Sequence, residues 1–288
     1  MRGCPPVLLC PICRQILTVY PHHLQCLQGH NFDRAREGYV NLLHRRGRPP
    51  RILGDSKEMI RARHRFLNQG YFEPLSDKIN RSALRFIDGV SATKSISVLD
   101  AGCGTGYYAG RLCAAIGRSP GRSICCYGMD LSKEAVRIAS RSYPQVNFFV
   151  ADVNDRLLFS DHSIDLLLNV FAPRHVAEFS RVLQHGGMAM VVIPAPNHLA
   201  ELREQLSLLD LQENKRELVT KRFSGPFVLQ NEEEVSFSRR LDAAALADLV
   251  KMTPSYWHLS GADWEKISNL LATEITASFI LLQFRRTE

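Results

Sequence analysis

Four residues near the N-terminus have the types and the spacing of a zinc site. Two residues separate Cys10 from Cys13, and after twelve further residues come Cys26 and His30, which are separated by three residues. A Cys-x2-Cys turn places two thiolates on one side of a tight loop, and three thiolates with an imidazole suit tetrahedral Zn²⁺. Such a closed site is structural, and in a module of about 35 residues the metal would supply folding energy. The alternative is three small buried cysteines and a loop histidine.

The cysteine count also bears on the cell compartment. Four of the eight cysteines lie within the first 26 residues, and Cys4 is a further candidate ligand. No apolar run is long enough for a signal peptide or a membrane span. We therefore expect a cytoplasmic protein with no membrane partner, in which a metal site or free thiols are favoured over disulfides.

A glycine-rich loop further along the chain has the composition of a cofactor-binding turn. Asp100 precedes Gly102, Cys103, Gly104 and Gly106, and the segment from residue 104 to 109 matches G-x-G-x-x-A. This pattern by itself fits either a dinucleotide site or a tight strand-to-helix turn. An acid immediately before the loop is where methyltransferases hold the ammonium group of S-adenosylmethionine.

Two later acids separate the cofactor alternatives. Asp130 follows the next expected strand and can accept hydrogen bonds from both ribose hydroxyls, and Asp152 follows the strand after that. Asp152 would meet the adenine amino group, and Val153 would pack on the adenine ring. NAD also explains Asp130, but leaves Asp100 and Asp152 as loop caps. The set therefore favours S-adenosylmethionine over a dinucleotide.

Alternating strands and helices must position these residues. A parallel, doubly wound sheet is expected, and its ligands bind at the carboxyl ends of its strands. Two late strands would supply the antiparallel edge of a methyltransferase sheet. The expected strands are 95–100, 123–129, 146–150, 164–170, 188–193, 227–241 and 274–286, and the expected helices are 108–116, 132–140, 176–183, 243–250 and 262–271.

The positive charge is confined to the first quarter of the chain. Residues 1–65 hold 12 Lys and Arg against 4 Asp and Glu, whereas the rest hold 24 against 25. A Gly- and Pro-broken basic loop spans His44–Arg51, and a helix opens at Gly54–Asp55 with Asp55 as its cap and stops at Gly70. This asymmetry favours a nucleic-acid partner, with a solvated basic face as the alternative. The helix would extend the patch through Arg61, Arg63 and Arg65.

The expected architecture is an α/β class I methyltransferase of Rossmann-like fold with an N-terminal zinc-binding module. Residues 1–44 would form the zinc module that recognises RNA, residues 45–94 a basic connector with helices, and residues 95–288 the S-adenosylmethionine-dependent domain.

The assembled motifs resemble one family across essentially the whole chain. That family is the 23S ribosomal RNA (guanine-N1)-methyltransferases of the RlmA type. The resemblance lies in CPIC with C-x3-H, GHNFDRAREGYVNLL, GDSKEMIRAR, RFLNQGYFEP, VLDAGCGTGYY, NVFAPRHVAEFSRVL, PAPNHLAEL and MTPSYW.

The resemblance implies methylation of guanine N1 in a hairpin of large-subunit (23S) ribosomal RNA by a homodimer. In some relatives this modification protects against macrolide-type antibiotics. It also implies donor contacts by Phe72 and His198, together with Gly106 and Tyr107 in the loop. The family more often has Tyr where this chain has Phe72, which has no hydroxyl group for such a contact. Without the resemblance, Phe72 reads equally as a core residue and His198 as a residue at a helix start.

Asn169 and Phe171 are candidates for the acceptor pocket, because they follow the fourth strand, where related enzymes bind the base. We expect Asn169 to hold the guanine edge and Phe171 to stack on it, with ordinary core packing as the alternative for Phe171. The sequence does not identify a general base. Two other functions are an RNA-binding zinc protein with a degenerate methyltransferase domain and a small-molecule methyltransferase. The intact Gly and Asp set opposes the first, and the basic first quarter opposes the second.

Overall fold

The computed structural model describes residues 4–5, 7–44, 55–91, 95–117, 123–206, 214–269 and 272–287. Most of the expected basic loop, together with Gly54, lies outside the described residues. Within the described part of the chain, no helix combines the length and the hydropathy needed to cross a bilayer.

The strands are β1 (Leu17–Val19), β2 (His23–Cys26), β3 (Asn31–Asp33), β4 (Val40–Asn41), β5 (Ile96–Ala101), β6 (Ile124–Asp130), β7 (Asn147–Val150), β8 (Ile164–Val170), β9 (Leu183–Pro194), β10 (Phe227–Asp242) and β11 (Ala272–Arg286). The helices are α1 (Lys57–Asn68), α2 (Glu73–Asp88), α3 (Tyr107–Ile116), α4 (Lys133–Ser142), α5 (Val176–Val182), α6 (Ala200–Gln205), α7 (Lys215–Phe223), α8 (Ala243–Lys251) and α9 (Gly261–Asn269), with a 3-10 helix at Pro254–Trp257.

The expected doubly wound sheet is confirmed. Among the described residues, eight strands form one sheet in the order β10-β11-β9-β8-β5-β6-β7-β4. Strands β4 to β9 pair in parallel, and β11 runs antiparallel between β9 and β10. Every residue of β5 and β8 is buried, as expected for central strands that helices cover on both faces. The strand order reverses between β5 and β8, so the crevice at the carboxyl ends of these two strands is the natural ligand site.

Helix α1 begins differently from the expectation. The cap is Ser56, whose side chain accepts a hydrogen bond from the N–H of Met59 at 3.2 Å, so the assignment of the cap to Asp55 was wrong. The physical reason is that Asp55 forms an ion pair with Arg63 instead. The helix ends before Gly70, whose positive φ of 80° suits a glycine at a helix C-terminus.

The N-terminal module is joined to the large sheet. Strands β1, β2 and β3 form their own small antiparallel sheet, whereas β4 pairs with β7 and so extends the eight-stranded sheet. Leu17 and Leu24 are at most 1% exposed and belong to a core that also contains Tyr127 and Phe149 of the large sheet. The N–H of Leu9 donates a hydrogen bond to the carbonyl of Leu158, in the loop between β7 and β8, at 2.9 Å. The module therefore shares its hydrophobic core with the rest of the protein.

Cys4 does not join the zinc cluster. It forms a disulfide with Cys125 of β6, with the two Cα atoms 5.5 Å apart. The expectation of metal-bound or free thiols alone is wrong for this pair. The N-terminal segment runs beside β6, which brings together two residues that are 121 positions apart in the chain.

The helix that follows the glycine-rich loop packs through a glycine. A Cβ on Gly110 of α3 would lie 2.1 Å from Cδ1 and 2.3 Å from Cγ of Tyr143, so this contact requires glycine. A Cβ on Gly261 of α9 would meet no atom of the described residues within 4 Å.

We expect Gly110→Ala to lower the free energy of unfolding by about 1–3 kcal/mol, because the ring of Tyr143 must move. The same change at Gly261 should alter it by less than about 0.5 kcal/mol. Urea unfolding followed by circular dichroism measures both. Equal stabilities for the two variants would show that α3 tolerates a side chain at the contact.

Candidate donor site and metal centre

The four predicted zinc ligands come together. The Sγ atoms of Cys10, Cys13 and Cys26 and a ring nitrogen of His30 all lie within 4.8 Å of one another. The Sγ atoms of Cys13 and Cys26 are 3.6 Å apart, and Nδ1 of His30 is 3.3 Å from Sγ of Cys26. Four ligands around Zn²⁺ at about 2.3 Å require sulfur-to-sulfur edges of about 3.8 Å. The donor set and its dimensions therefore fit a closed tetrahedral zinc site.

The small sheet explains how distant residues form this cluster. Strands β1 and β2 pair so that Leu17 lies opposite Cys26, and β2 then pairs with β3. The connection between β1 and β2 contains Tyr20, whose ring stacks on that of His23, the first residue of β2, with the ring centres 4.7 Å apart. Buried Leu17 and Leu24 pack the hairpin against the large sheet, and the two ligand pairs meet at the open end of the hairpin, where Leu17 lies opposite Cys26.

Three glycines shape the loop between β5 and α3. Gly102, Gly104 and Gly106 have φ angles of 90°, 52° and 79°, a region that other residues rarely adopt. A Cβ on Gly102 would lie 2.3 Å from Cβ of Ala172, and one on Gly106 would lie 2.8 Å from Phe148. Packing therefore requires Gly102 and Gly106, whereas the space above Gly104 is open except for Arg63. This space can accept a ligand close to the backbone.

Asp100 is the most unusual group of the site. It is 2% exposed, and its Oδ1 is buried without a hydrogen-bond partner among the described residues. Burial raises the pKa of this carboxyl to about 8, and the nearby charge of Asp130 raises it further in the same direction. A buried polar atom without a partner is costly. A cationic group of a ligand would remove that cost, so the site fits a donor that carries an ammonium group.

Asp130 supports the loop as well as facing the crevice. Its Oδ2 accepts a hydrogen bond from the N–H of Gly104 at 2.9 Å, and its Oδ1 accepts one from the N–H of Ser132 at 2.8 Å. Burial raises its pKa, although both backbone bonds oppose that shift. A carboxylate has about four acceptor positions, so two remain for ribose hydroxyls.

Asp152 and Val153 lie at the end of β7, as the sequence predicts. Oδ1 of Asp152 accepts from the N–H of Asn154 at 2.9 Å, which fixes the turn. Val153 is buried, with 4% of its surface exposed.

Phe72 and His198 lie beside each other in an aromatic cluster. Phe72 is 1% exposed, and its ring centre is 5.1 Å from that of Phe279 and 6.3 Å from that of His198. Nδ1 of His198 accepts a hydrogen bond from the N–H of Ser278 at 3.2 Å. Burial, aided by the charge of Arg203, lowers the pKa of His198 to about 4. The ring is therefore neutral and carries its proton on Nε2.

Tyr107 begins α3 directly after the loop. It is buried, and the guanidinium carbon of Arg111 lies 5.6 Å from its ring centre. Its hydroxyl has no hydrogen-bond partner among the described residues, and burial raises its pKa to about 12.

Asn169 and Phe171 occupy the end of β8, next to the loop. Nδ2 of Asn169 donates to the carbonyls of Ala101 and Pro173 at 2.9 Å each, while its Oδ1 is buried and has no partner in the described part of the chain. Phe171 is 43% exposed and has a positive φ of 54°. The side-chain amide of Asn169 thus links the loop after β8 to the end of β5, and its Oδ1 can accept a hydrogen bond from a ligand.

Arg63 lies beside the glycine-rich loop, whereas the charge pattern predicts a place for it in a phosphate-binding patch. A Cβ on Gly104 would lie 3.9 Å from its Nη1. The sequence contains a signal for this position, because Arg63 lies on the apolar stripe of α1, three residues from each of buried Ile60 and Phe66. Tyr108 was also overlooked, and its buried hydroxyl has no partner within the described ranges.

Comparison with known proteins agrees with both halves of this architecture. The family model described as "RlmA, N-terminal" matches residues 8–45, and a model described as "Methyltransferase domain" matches residues 98–187. These matches contain the Cys3His cluster and the glycine-rich loop, respectively.

Three curated relatives extend over nearly the whole chain. A protein of Streptomyces fradiae named 23S rRNA (guanine(748)-N(1))-methyltransferase is 37% identical over 87% of this chain and 86% of its own length. A putatively assigned 23S rRNA (guanine-N(1)-)-methyltransferase of Micromonospora griseorubida is 37% identical over 89% of each chain. A Bacillus subtilis protein with the same assignment is 30% identical over 95% of each. With this identity over this length, the chain belongs to the 23S rRNA (guanine-N1)-methyltransferase family.

Proposed function

We propose that the protein transfers a methyl group from S-adenosylmethionine to N1 of a guanine in a hairpin of 23S ribosomal RNA. The observation that carries this proposal is the buried carboxyl of Asp100, which lies beside a glycine-rich loop and whose Oδ1 has no hydrogen-bond partner among the described residues, in a chain that also holds a zinc ribbon. A degenerate methyltransferase domain would not be expected to keep a buried acid with an unpaired oxygen. We further propose that the enzyme acts in the cytoplasm.

The donor site is built from the residues at the ends of β5, β6 and β7. Bound S-adenosylmethionine supplies a methyl group on a sulfonium leaving group, so the protein mainly has to orient the acceptor. Asp100 holds the ammonium group, Asp130 the ribose hydroxyls, and Asp152 with Val153 the adenine. Tyr107, Phe72 and His198 enclose the site on its apolar side.

The acceptor pocket lies at the end of β8. Oδ1 of Asn169 accepts a hydrogen bond from the guanine edge, and exposed Phe171 stacks on the base. Guanine N1 must lose a proton, but His198 is unsuited to accept it, because its Nδ1 lone pair is already used. The base must leave its stack or lie in an open loop to reach this pocket.

The N-terminal module and the connector serve as the RNA-binding end. The balance of 12 basic against 4 acidic residues in residues 1–65 supports this role, because phosphate contacts dominate the affinity for RNA. In this division residues 1–44 form the zinc module, residues 45–94 the connector and residues 95–288 the catalytic domain. We also propose a homodimer, which the family resemblance implies, and β10 at the edge of the sheet offers a pairing surface. The link to macrolide resistance stays a prediction of that resemblance.

Incubation with unmodified 23S RNA tests the proposal. Because N1 methylation blocks Watson–Crick pairing, primer extension should stop next to one hairpin guanine when both protein and donor are present.

Asn169→Ala should lower the single-turnover rate by at least about tenfold, by analogy with loss of a positioning hydrogen bond. S-Adenosylhomocysteine affinity, measured by calorimetry, controls for the donor site. Unchanged rates in this variant, or no stop in wild-type reactions, would contradict the assignment.

Donor binding should release a proton. Because burial raises the pKa of Asp100 to about 8, the free protein holds most of that proton at pH 7. A bound ammonium group favours the ionised carboxylate, so S-adenosylhomocysteine should displace up to about one proton. Calorimetry at pH 7 in buffers of different ionisation enthalpy measures this number. Asp100→Asn should abolish the release and Asp152→Asn should retain it; no release by the wild-type protein would oppose the assignment of the ammonium group to Asp100.

Zinc removal should affect the RNA-binding end first. We expect about one zinc per chain by elemental analysis, and almost none in Cys26→Ser. This variant should also melt at a lower temperature and bind 23S RNA more weakly, because the hairpin loses its cross-link. Cys113→Ser, a cysteine outside the cluster, is the matched control. Full RNA affinity in a zinc-free protein would exclude a role of the metal in RNA binding.

A further inference from the structure

Arg63 lies at the mouth of the donor loop. Helix α1 presents it on its apolar stripe, and its side chain is 26% exposed. A Cβ on Gly104 would lie 3.9 Å from Nη1 and 4.0 Å from Cδ of Arg63, so the guanidinium stands over the one loop glycine that borders open space. An arginine turned toward a cofactor loop is badly placed to follow an RNA backbone.

Neighbouring groups hold the guanidinium in place. It forms an ion pair with Asp55, and its Nη2 donates to the carbonyl of Met252 at 3.1 Å. These contacts tie the start of α1 and the end of α8 to one side chain. A guanidinium has five N–H donors, so donors remain for a ligand after both contacts are made.

A second hydrogen-bond donor near the same space has no partner among the described residues. The hydroxyl of Tyr108, in the first turn of α3, is buried and makes no hydrogen bond among the described residues. Burial raises its pKa well above the usual value, and the charges of Arg63 and Asp100 act on it in opposite directions. The arginine, the hydroxyl and the carboxyl are thus electrostatic neighbours around the glycine-rich loop.

We propose that Arg63 and Tyr108 bind the carboxylate of the methionyl part of the donor. This inference rests on the proposed function and deepens it, because it assigns the half of the amino-acid group that Asp100 cannot hold. The methionyl group is a zwitterion, so a site that fixes it needs an acid for the ammonium and hydrogen-bond donors of positive charge for the carboxylate. Asp100 supplies the first, and Arg63 with Tyr108 supplies the second.

The assignment also explains the ion pair with Asp55. That acid holds the guanidinium at the loop and partly balances its charge while the donor site is empty. The connection from Arg63 to the carbonyl of Met252 places the end of α8 next to the bound amino-acid group. Arg63 therefore contacts the methyl donor directly and fixes its amino-acid group.

Two ligands that differ only at the amino-acid group test the proposal. S-Adenosylhomocysteine carries the carboxylate, whereas 5′-deoxy-5′-methylthioadenosine keeps the adenosine and the thioether and lacks it. Arg63→Gln should weaken the calorimetric affinity for S-adenosylhomocysteine by about 10- to 100-fold and change that for methylthioadenosine by less than about twofold. Tyr108→Phe should show a smaller loss with the same selectivity. Arg61→Gln, two residues away on the same helix and with a 60% exposed side chain, should match the wild type with both ligands.

Each outcome separates this inference from the proposed function. Equal losses for both ligands would show that Arg63 maintains the loop only, and no loss for S-adenosylhomocysteine would show that the carboxylate lies elsewhere. A loss confined to the affinity for 23S RNA would show that Arg63 contacts RNA and not the methyl donor. All three results overturn the carboxylate assignment and leave RNA methylation by the wild-type enzyme intact. A wild-type protein that binds neither ligand would instead overturn the donor site itself.

Discussion

The buried carboxyl of Asp100 is the group on which the organisation of the donor site depends. A buried carboxyl with one oxygen unpaired among the described residues is costly in its charged form, and the rise of its pKa to about 8 expresses that cost. The three loop glycines bring backbone close to it, and Asp130 adds a second acid whose hydrogen bonds hold the loop. The ionised carboxyl is unfavourable in the free protein and becomes favourable when the ammonium group of a ligand enters. The end of the site at Asp100 is therefore organised for a cationic group before the ligand arrives.

The zinc module is coupled to this site through a shared core. Strand β4 extends the catalytic sheet beside β7, and buried leucines of the ribbon pack with aromatic residues of the sheet. A freely tethered RNA-binding module would present its substrate over a wide range of orientations. Packing against the sheet restricts those orientations, which matters because methyl transfer requires an in-line approach of the acceptor. The zinc module, to which we assign RNA binding, is thus packed against the sheet that carries the donor site.

Features with a local or periodic signal could be predicted from the sequence. The bounds of β8 agree at both ends with the expected strand 164–170, because a buried parallel strand is a continuous apolar run. The zinc ligands were found from spacing alone, since two short loops fix their geometry. Features that depend on distant packing could not be predicted. Strand β4 has two residues and no pattern of its own, and the Cys4–Cys125 disulfide joins residues 121 positions apart.

Polar residues near the site were the least predictable, because their partners depend on the tertiary structure. The sequence pattern predicts that Asp55 caps a helix, but Asp55 forms an ion pair with Arg63. The side-chain amide of Asn169 donates both of its hydrogens to backbone carbonyls. Charge counting alone assigns Arg63 to the surface that would bind RNA. Its place on the apolar stripe of α1 instead indicates a side chain that faces the interior.

The identity of the methylated nucleoside tests the central claim most directly. Digestion of 23S RNA treated with the enzyme and an isotopically labelled donor, followed by mass spectrometry of the nucleosides, reports which atom received the label. The account predicts labelled 1-methylguanosine. Label in another guanosine isomer, in another base or in no RNA nucleoside would contradict it.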